Sequence, residues 1–141
     1  MYMLDTNIII YAVRHPDSRL HDILRAHLGQ NLCISVVTYA ELEYGIRKSS
    51  RPDQNRLSIQ RYLAGIRVLN FNMDAAEHFG DIFADLEKKH LRIGDRDTMI
   101  AAHARSLGYT IITHNVREFQ RVEGLLVEDW LAPFLDADRK S

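Results

Sequence analysis

The sequence is poor in cysteine and has no long apolar segment. Its 141 residues include one cysteine, Cys33, which excludes an intramolecular disulfide and a zinc site built from cysteines. Cys33 lies in an apolar stretch, Leu32–Val36, so we expect a buried thiol. No segment approaches the ~20 apolar residues of a membrane helix, and no basic region opens a signal peptide. These absences predict a cytoplasmic protein with no membrane contact.

The sequence also lacks a strong net charge. Its 18 basic and 19 acidic residues give a formal charge of −1, so any nucleic-acid surface must be local. No repeat, low-complexity segment or linker divides the chain, and its length suits one hydrophobic core. We therefore expect a single domain over residues 1–135, followed by a flexible tail at 136–141.

Short apolar segments alternate with amphipathic ones along the chain. Strands are predicted just before Asp5 and at residues 32–35, 67–70, 109–113 and 125–127. Helices are predicted at residues 8–13, 19–28, 37–49, from 52 onward, 74–90 and 98–107. Their expected N-caps are Thr6 or Asn7, Ser18, Asp74 and Asp95. This alternation predicts an α/β fold with a mostly parallel central sheet and helices on both faces.

Acidic residues recur where predicted strands end or helices begin. Asp5 follows the first strand, and ligands of open α/β sheets bind at the carboxyl ends of parallel strands. Glu41 shares the inward stripe of its helix with Val37, where a carboxylate is costly unless it is paired. Asp97 lies at the start of a helix, whose dipole is expected to lower its pKa.

Each acid also has an ordinary explanation. Asp5 and Asp97 fit turn or cap positions, and Glu41 fits a surface position if the helix phase differs. Together, three converging carboxylates would repel one another without a cation, and Mg²⁺ or Mn²⁺ prefers oxygen ligands. Such a site activates water and neutralises charge at a phosphodiester. A Gly-rich phosphate loop, a Gly-x-Ser-x-Gly elbow and a His-Glu-x-x-His motif are all absent from the sequence.

Four stretches of the chain carry a family resemblance. They are Met3-Leu4-Asp5-Thr6-Asn7-Ile8, the segment from Ile34 to Gly45, the segment from Ile93 to Ala104, and the segment from Ile112 to Phe119. In this order and spacing, the chain resembles the PIN-domain ribonucleases, most closely the VapC toxins of bacterial toxin–antitoxin pairs. The resemblance covers nearly the whole chain and implies a PIN-like fold.

The resemblance implies a metal-dependent endoribonuclease that acts as the toxin of a type II system. Its catalytic metal ligands would be Asp5, Glu41 and Asp97, with Mg²⁺ or Mn²⁺ as cofactor, and Thr6 and Thr113 would line the site. A structured RNA such as tRNA is the implied substrate. A homodimer and a VapB-like antitoxin are the implied partners.

Two positions depart from the pattern of the family. Asn115 stands where many relatives have an acid, so it supplies a carbonyl oxygen or a hydrogen bond at best, and Glu118 is a candidate to compensate. Asp95 stands in a turn that often carries proline and an aromatic residue. Asp95 is either an additional metal ligand or the N-cap of its helix, and we favour the cap.

Basic residues are concentrated in two places. The segment from Arg47 to Arg67 has six basic residues and one acidic residue, and Arg92 and Arg96 lead into the Asp97 turn. We expect Arg92, Arg96, Arg47 and Lys48 to contact RNA, although a solvated helix face explains the first segment equally well. The helices over residues 47–63 are the expected antitoxin groove.

Two other functions compete with this interpretation. A PIN nuclease that is not a toxin, acting on RNA or DNA, would carry the same acids. A receiver-like module phosphorylated on aspartate also places acids at strand ends, but it needs an acidic pair early in the chain and a lysine after a late strand. Thr113 is followed by His114 and Asn115, which argues against the receiver.

Overall fold

Strands and helices alternate along the chain as the sequence predicts. The computed structural model describes residues 1–135, and the expected tail at 136–141 lies outside the described residues. The strands in this range are β1 (Tyr2–Leu4), β2 (Leu32–Ser35), β3 (Arg67–Leu69), β4 (Thr110–Ile112) and β5 (Leu126–Glu128). The α-helices are α1 (Thr6–Arg14), α2 (Arg19–His27), α3 (Val36–Lys48), α4 (Pro52–Leu63), α5 (Met73–Lys88), α6 (Asp95–Leu107) and α7 (Val116–Phe119).

The strands form one parallel sheet in the order β3-β2-β1-β4-β5. In the central strand β1, Met3 is in register with Cys33 of β2 on one side and with Ile111 of β4 on the other. The chain runs outward from β1 through β2 to β3, then returns to β4 on the opposite side. The carboxyl ends of β1 and β4 therefore flank the switch point where open α/β sheets bind ligands.

Helices cover both faces of the sheet, which confirms the predicted fold class. Adjacent residues of a strand point to opposite faces, and Met3 and Leu4 accordingly belong to two separate core clusters. The Met3 cluster includes Ile82 of α5 and Ile100 of α6. The Leu4 cluster includes residues of α1, α2 and α4, namely Ile8, Ile9, Leu20, Leu24 and Tyr62.

Burial of the lone cysteine is confirmed. Cys33 is fully buried, and this burial raises the pKa of its thiol to about 12, so the thiol stays protonated at neutral pH. Among the residues described, no helix has both the length and the apolarity needed to cross a membrane.

Helix starts differ from the predictions at three places, while the predicted cap Ser18 is confirmed. Asp5, not Thr6 or Asn7, caps α1, since its extended backbone lets its side chain accept from the Thr6 amide. Asn72, not Asp74, caps α5, because its side-chain oxygen reaches the amide three residues ahead. In both cases the cap is a short polar residue that precedes the predicted one.

The N-cap expected at Asp95 is also wrong. Gly94 is the N-cap of α6, and its carbonyl accepts hydrogen bonds from both the amide and the hydroxyl of Thr98. The helix therefore begins three residues before its predicted start at Thr98. Asp95 occupies the first helical position instead of flanking the helix.

The end of the described chain is built from short elements. The single-turn helix α7 was not predicted, because four residues are too few for a periodic pattern, yet its Phe119 is fully buried. Trp130 is only partly buried rather than central to the core. It stacks on His27 with ring centroids 5.1 Å apart and meets Tyr2 edge-on at 4.8 Å.

Candidate active site

Asp5 is fixed at the carboxyl end of β1 by hydrogen bonds from two other segments. Its Oδ1 accepts from the Thr6 amide at 2.8 Å, and its Oδ2 accepts from Thr113 Oγ1, just after β4, at 2.8 Å. Asp5 is 3% exposed, and burial raises the pKa of its carboxyl although both hydrogen bonds oppose that rise. The sheet and the start of α1 therefore hold this carboxylate in one orientation.

Glu41 reaches the same place from α3. Its Oε1 accepts from Thr6 Oγ1 at 2.7 Å, and its Oε2 accepts from Arg96 Nε at 3.1 Å. The side chain of Glu41 is 21% exposed, and both of its oxygens are engaged. Glu41 therefore has the hydrogen-bond partners that a carboxylate on the inward face of a helix requires.

Asp97 lies in the first turn of α6 among other acids. Burial, together with the charges of Asp5, Glu41 and Glu118, raises the pKa of Asp97 to about 6, and Arg96 opposes this rise only in part. The expectation that the helix dipole lowers this pKa is wrong. Desolvation and repulsion by three carboxylates outweigh the favourable field of the helix terminus.

These groups line a single cavity of about 410 Å³. Asp5, Thr6, Glu41, Arg96 and Asp97 form its polar end. Apolar side chains of α1, α3 and α4 form the wall beyond it, namely Ile10, Val13, Leu42, Ile46 and Ile59. Arg14 and Lys48 also line the cavity, so basic and acidic groups share one cavity.

Thr113 and Asn115 act from behind Asp5 rather than in the cavity. The buried Thr113 hydroxyl donates to Asp5 and accepts from the Asn115 amide at 2.9 Å. Asn115 is the residue before α7, but its side chain makes no capping hydrogen bond there. Its backbone therefore orients the threonine that holds Asp5.

The remaining predicted site residues divide into two groups. Lys48 and Arg96 line the cavity, with Lys48 Nζ also lying 4.9 Å from the ring centroid of Tyr44. Arg47 and Arg92 contact acids outside the cavity. Arg47 Nε donates to Glu43 Oε1 at 2.8 Å, and Arg92 Nη2 lies 3.4 Å from Asp95 Oδ1. Asp95 is 73% exposed, and neither it nor Arg92 is among the residues lining the cavity.

The sequence interpretation did not identify Thr38. It is fully buried one turn before Glu41, and its hydroxyl oxygen lies 3.4 Å from Thr6 Oγ1. Its position three residues before Glu41, on the same helix face, was the available signal. Glu118, considered only as a substitute for an acid at position 115, contributes to the raised pKa of Asp97.

The donor set suits a hard divalent cation in its chemistry. Carboxylates from β1, α3 and α6 line one cavity, and their mutual repulsion is the condition that a cation relieves. Within residues 1–135, however, no three acidic, histidine or cysteine side chains stand close enough together to ligate one ion. Glu41 is directed toward Thr6 and Arg96 instead, so a shared ion requires its carboxylate to reorient.

Comparison with known proteins agrees with the fold. A model of the PIN domain matches residues 2–125, and the chain belongs to the PIN-domain family. It is 43% identical over 129 residues to the tRNA(fMet)-specific endonuclease VapC of Shigella flexneri, a match that covers 92% of this chain and 97% of that protein. It is 41% identical over 130 residues to ribonuclease VapC2 of Haemophilus influenzae, with 92% and 98% covered.

A solved structure shows the same architecture. The crystal structure of VapBC2 from Rickettsia felis, bound to a DNA fragment from their promoter, matches with a TM-score of 0.85 at 36% identity. The match covers 92% of this chain and 98% of that one. Within the PIN-domain family, these relatives place the chain among the VapC ribonucleases, which confirms the resemblance found in its motifs.

Proposed function

We propose that this protein is a metal-dependent endoribonuclease and the toxin of a type II toxin–antitoxin system. The observation that carries the proposal is the convergence of Asp5, Glu41 and Asp97 on one cavity, where burial and the charges of the other two acids raise the pKa of Asp97. Relatives named as VapC ribonucleases support the reaction class. The basic residues that line the same cavity as these acids suit a polyanionic substrate.

Each residue has a distinct role in this proposal. Asp5, Glu41 and Asp97 would hold Mg²⁺ or Mn²⁺, which supplies an activated water and neutralises charge at the scissile phosphate. Thr113 fixes Asp5, and Thr6 donates through its amide to Asp5 and through its hydroxyl to Glu41. The hydrogen bonds to Asp5 orient its carboxylate before the substrate arrives, whereas Glu41 must turn from Thr6 and Arg96 to share the ion.

We propose a structured RNA such as tRNA as the substrate. The Shigella flexneri relative is named as specific for tRNA(fMet), and sequence identity with it extends over nearly all of this chain. Arg96 and Lys48 line the cavity and are placed to contact the RNA backbone, whereas Arg47 and Arg92 contact neighbouring acids. Arg14 adds a third basic group to the wall.

We also propose a VapB-like antitoxin, a homodimer and a cytoplasmic location. The Rickettsia felis structure contains VapBC2, which supports an antitoxin partner. The helices over residues 47–63 remain the expected antitoxin groove, with Leu57 of α4 52% exposed. Expression of the chain without a partner tests the toxin role, because a toxin arrests growth whereas a housekeeping PIN nuclease does not.

Cleavage of purified tRNA tests the enzymatic proposal directly. The wild type is incubated with Mg²⁺ or Mn²⁺, then with EDTA, and the cut sites are mapped. Asp5→Asn, Glu41→Gln and Asp97→Asn should each lose several orders of magnitude in rate. Asp95→Asn and Glu43→Gln are matched controls, since both are acids outside the cavity, and each should cleave like the wild type. Full activity in all three cavity variants would overturn the site.

A further inference from the structure

A second cavity of about 450 Å³ lies between α2 and α4. Its polar lining consists of His21, Arg25, Ser58, Arg61 and Tyr62. Val13, near the end of α1, lines both this cavity and the acidic one, so the two are neighbours on one surface. No catalytic or metal-binding role derived above uses this second cavity, although its α4 residues fall within the expected antitoxin groove.

The second cavity carries uncompensated positive charge. Arg25 and Arg61 both line it, no acidic residue does, and within residues 1–135 neither guanidinium group makes a hydrogen bond or ion pair. Several other arginines are paired, as Arg56 is with Glu43 at 2.7 Å. Two unpaired guanidinium groups facing one cavity repel each other, and a bound anion would relieve that repulsion.

The floor of the second cavity is polar and fixed. Tyr62 is buried, its hydroxyl donates to the Ala12 carbonyl at 3.3 Å, and it also contacts Nδ1 of His21. The Ser58 hydroxyl, one helical turn before Tyr62, supplies a further donor. Guanidinium forks together with hydroxyl groups are the donors that proteins use for phosphate oxygens.

We propose that this cavity binds a backbone phosphate of the substrate RNA, away from the bond that is cut. The inference rests on the proposed ribonuclease function. We place an RNA strand whose scissile phosphate lies at Asp5 along the acidic cavity, which Arg14 and Lys48 also line, and past Val13 into the second cavity. Arg25 and Arg61 lie on the far side of Val13, so both cavities serve one continuous polyanion.

The anion site is tested first with inorganic phosphate alone. In titrations followed by NMR, the Nε–Hε signals of Arg25 and Arg61 should shift in a saturable way in the wild type. The Arg67→Gln/Lys88→Gln variant is the control, since it removes the same charge from exposed residues that line neither cavity. Its Arg25 and Arg61 signals should respond as in the wild type. The absence of a saturable shift would overturn the proposal.

The source of the phosphate is tested with RNA. Binding of tRNA is measured in the cleavage-deficient Asp5→Asn background at several salt concentrations. Arg25→Gln/Arg61→Gln should weaken binding roughly tenfold and reduce the slope of log affinity against log salt by about 0.7 for each phosphate that the protein no longer neutralises. The control pair should match the parent. Melting temperatures close to the parent will establish that both double variants are folded.

The two failures are distinguishable. If the wild type cuts tRNA but Arg25→Gln/Arg61→Gln binds it as tightly as the control pair does, the inference is wrong and the proposed function stands. If phosphate shifts the two arginines but the wild type neither binds nor cuts RNA, the cavity is an anion site and its assignment to RNA is overturned. Weaker antitoxin binding with unchanged RNA affinity would likewise overturn that assignment.

Discussion

Arg96 donates from Nε to Oε2 of Glu41 at 3.1 Å, so a cationic side chain already occupies one of the oxygens offered to a metal. Arg96 is 69% exposed, whereas Glu41 is 21% exposed, so the arginine is the more freely moving partner. A divalent ion that binds this oxygen of Glu41 must displace the guanidinium group of Arg96. Arg96 is then released beside the site, where a phosphate can accept its hydrogen bonds.

The first prediction concerns this ion pair. Arg96→Gln should bind Mn²⁺ more tightly, by up to about fivefold, since an exposed ion pair contributes at most about 1 kcal/mol. RNA cleavage at saturating metal should fall, because the displaced arginine no longer contacts the phosphate. Isothermal titration calorimetry measures the affinity, and Arg92→Gln is the control because its partner Asp95 lies outside the cavity. Weaker metal binding by Arg96→Gln would contradict the displacement.

The second prediction follows from the raised pKa of Asp97. In the folded state this carboxyl titrates near pH 6, above its ordinary 3.8, so the folded protein retains a proton that the unfolded chain releases. Without divalent ions, this group's contribution to stability is therefore present below pH 4 and lost as the pH rises to 6. Asp97→Asn should not show this loss, and above pH 6 its free energy of unfolding should equal or exceed that of the wild type.

Urea denaturation between pH 4 and pH 7, in EDTA, measures the Asp97 effect. Mg²⁺ should then raise the melting temperature of the wild type and leave that of Asp97→Asn nearly unchanged, because ligand binding stabilises the folded state. An Asp97→Asn variant several degrees less stable than the wild type would show that Asp97 mainly caps its helix.

The third prediction concerns Thr113. Replacing it with valine removes the hydrogen bond to a buried carboxylate, so Thr113→Val should lose about 1–3 kcal/mol of unfolding free energy. Thr110→Val is the matched control at the start of β4, where the threonine is only half-buried, and it should cost little. Chemical denaturation compares the two. Equal losses would mean that the hydroxyl of Thr113 contributes nothing to holding Asp5.

The fourth prediction concerns His103, which is buried and whose Nδ1 lies 2.7 Å from Ser35 Oγ. Burial lowers the pKa of His103, so the unfolded chain takes up a proton that the folded protein excludes. Its contribution to stability is present above the ordinary pKa of 6.5 and is lost as the pH falls below it. Denaturation of His103→Gln in the Asp97→Asn background should show a shallower acid slope than Asp97→Asn alone.

Local pattern identified the acids because Asp5 follows a strand, Asp97 opens a helix, and Glu41 lies on the inward stripe of a helix. Asp5, Glu41 and Asp97 could be found from the sequence, since an acid directly after an apolar strand needs only the strand to be recognised. The parallel sheet followed from the alternation of elements. These features depend on neighbours along the chain.

Contacts between distant segments could not be predicted in the same way. The Arg96–Glu41 pair spans 55 residues, and it determines where the Glu41 carboxylate points. The pKa of Asp97 was predicted in the wrong direction, because the helix terminus is visible in the sequence whereas burial and the approach of Asp5 are not. The N-cap at Gly94 was missed because glycine offers no side-chain signal.

The hydrogen bond between Thr113 and Asp5 joins residues 108 positions apart. During synthesis, Asp5 emerges from the ribosome long before the threonine that fixes it. A nascent chain that ends before β4 has no neighbour for that edge of β1, and Asp5 lacks its second anchor. A cell that translates this protein therefore does not meet a completed site until about four-fifths of the chain has been made.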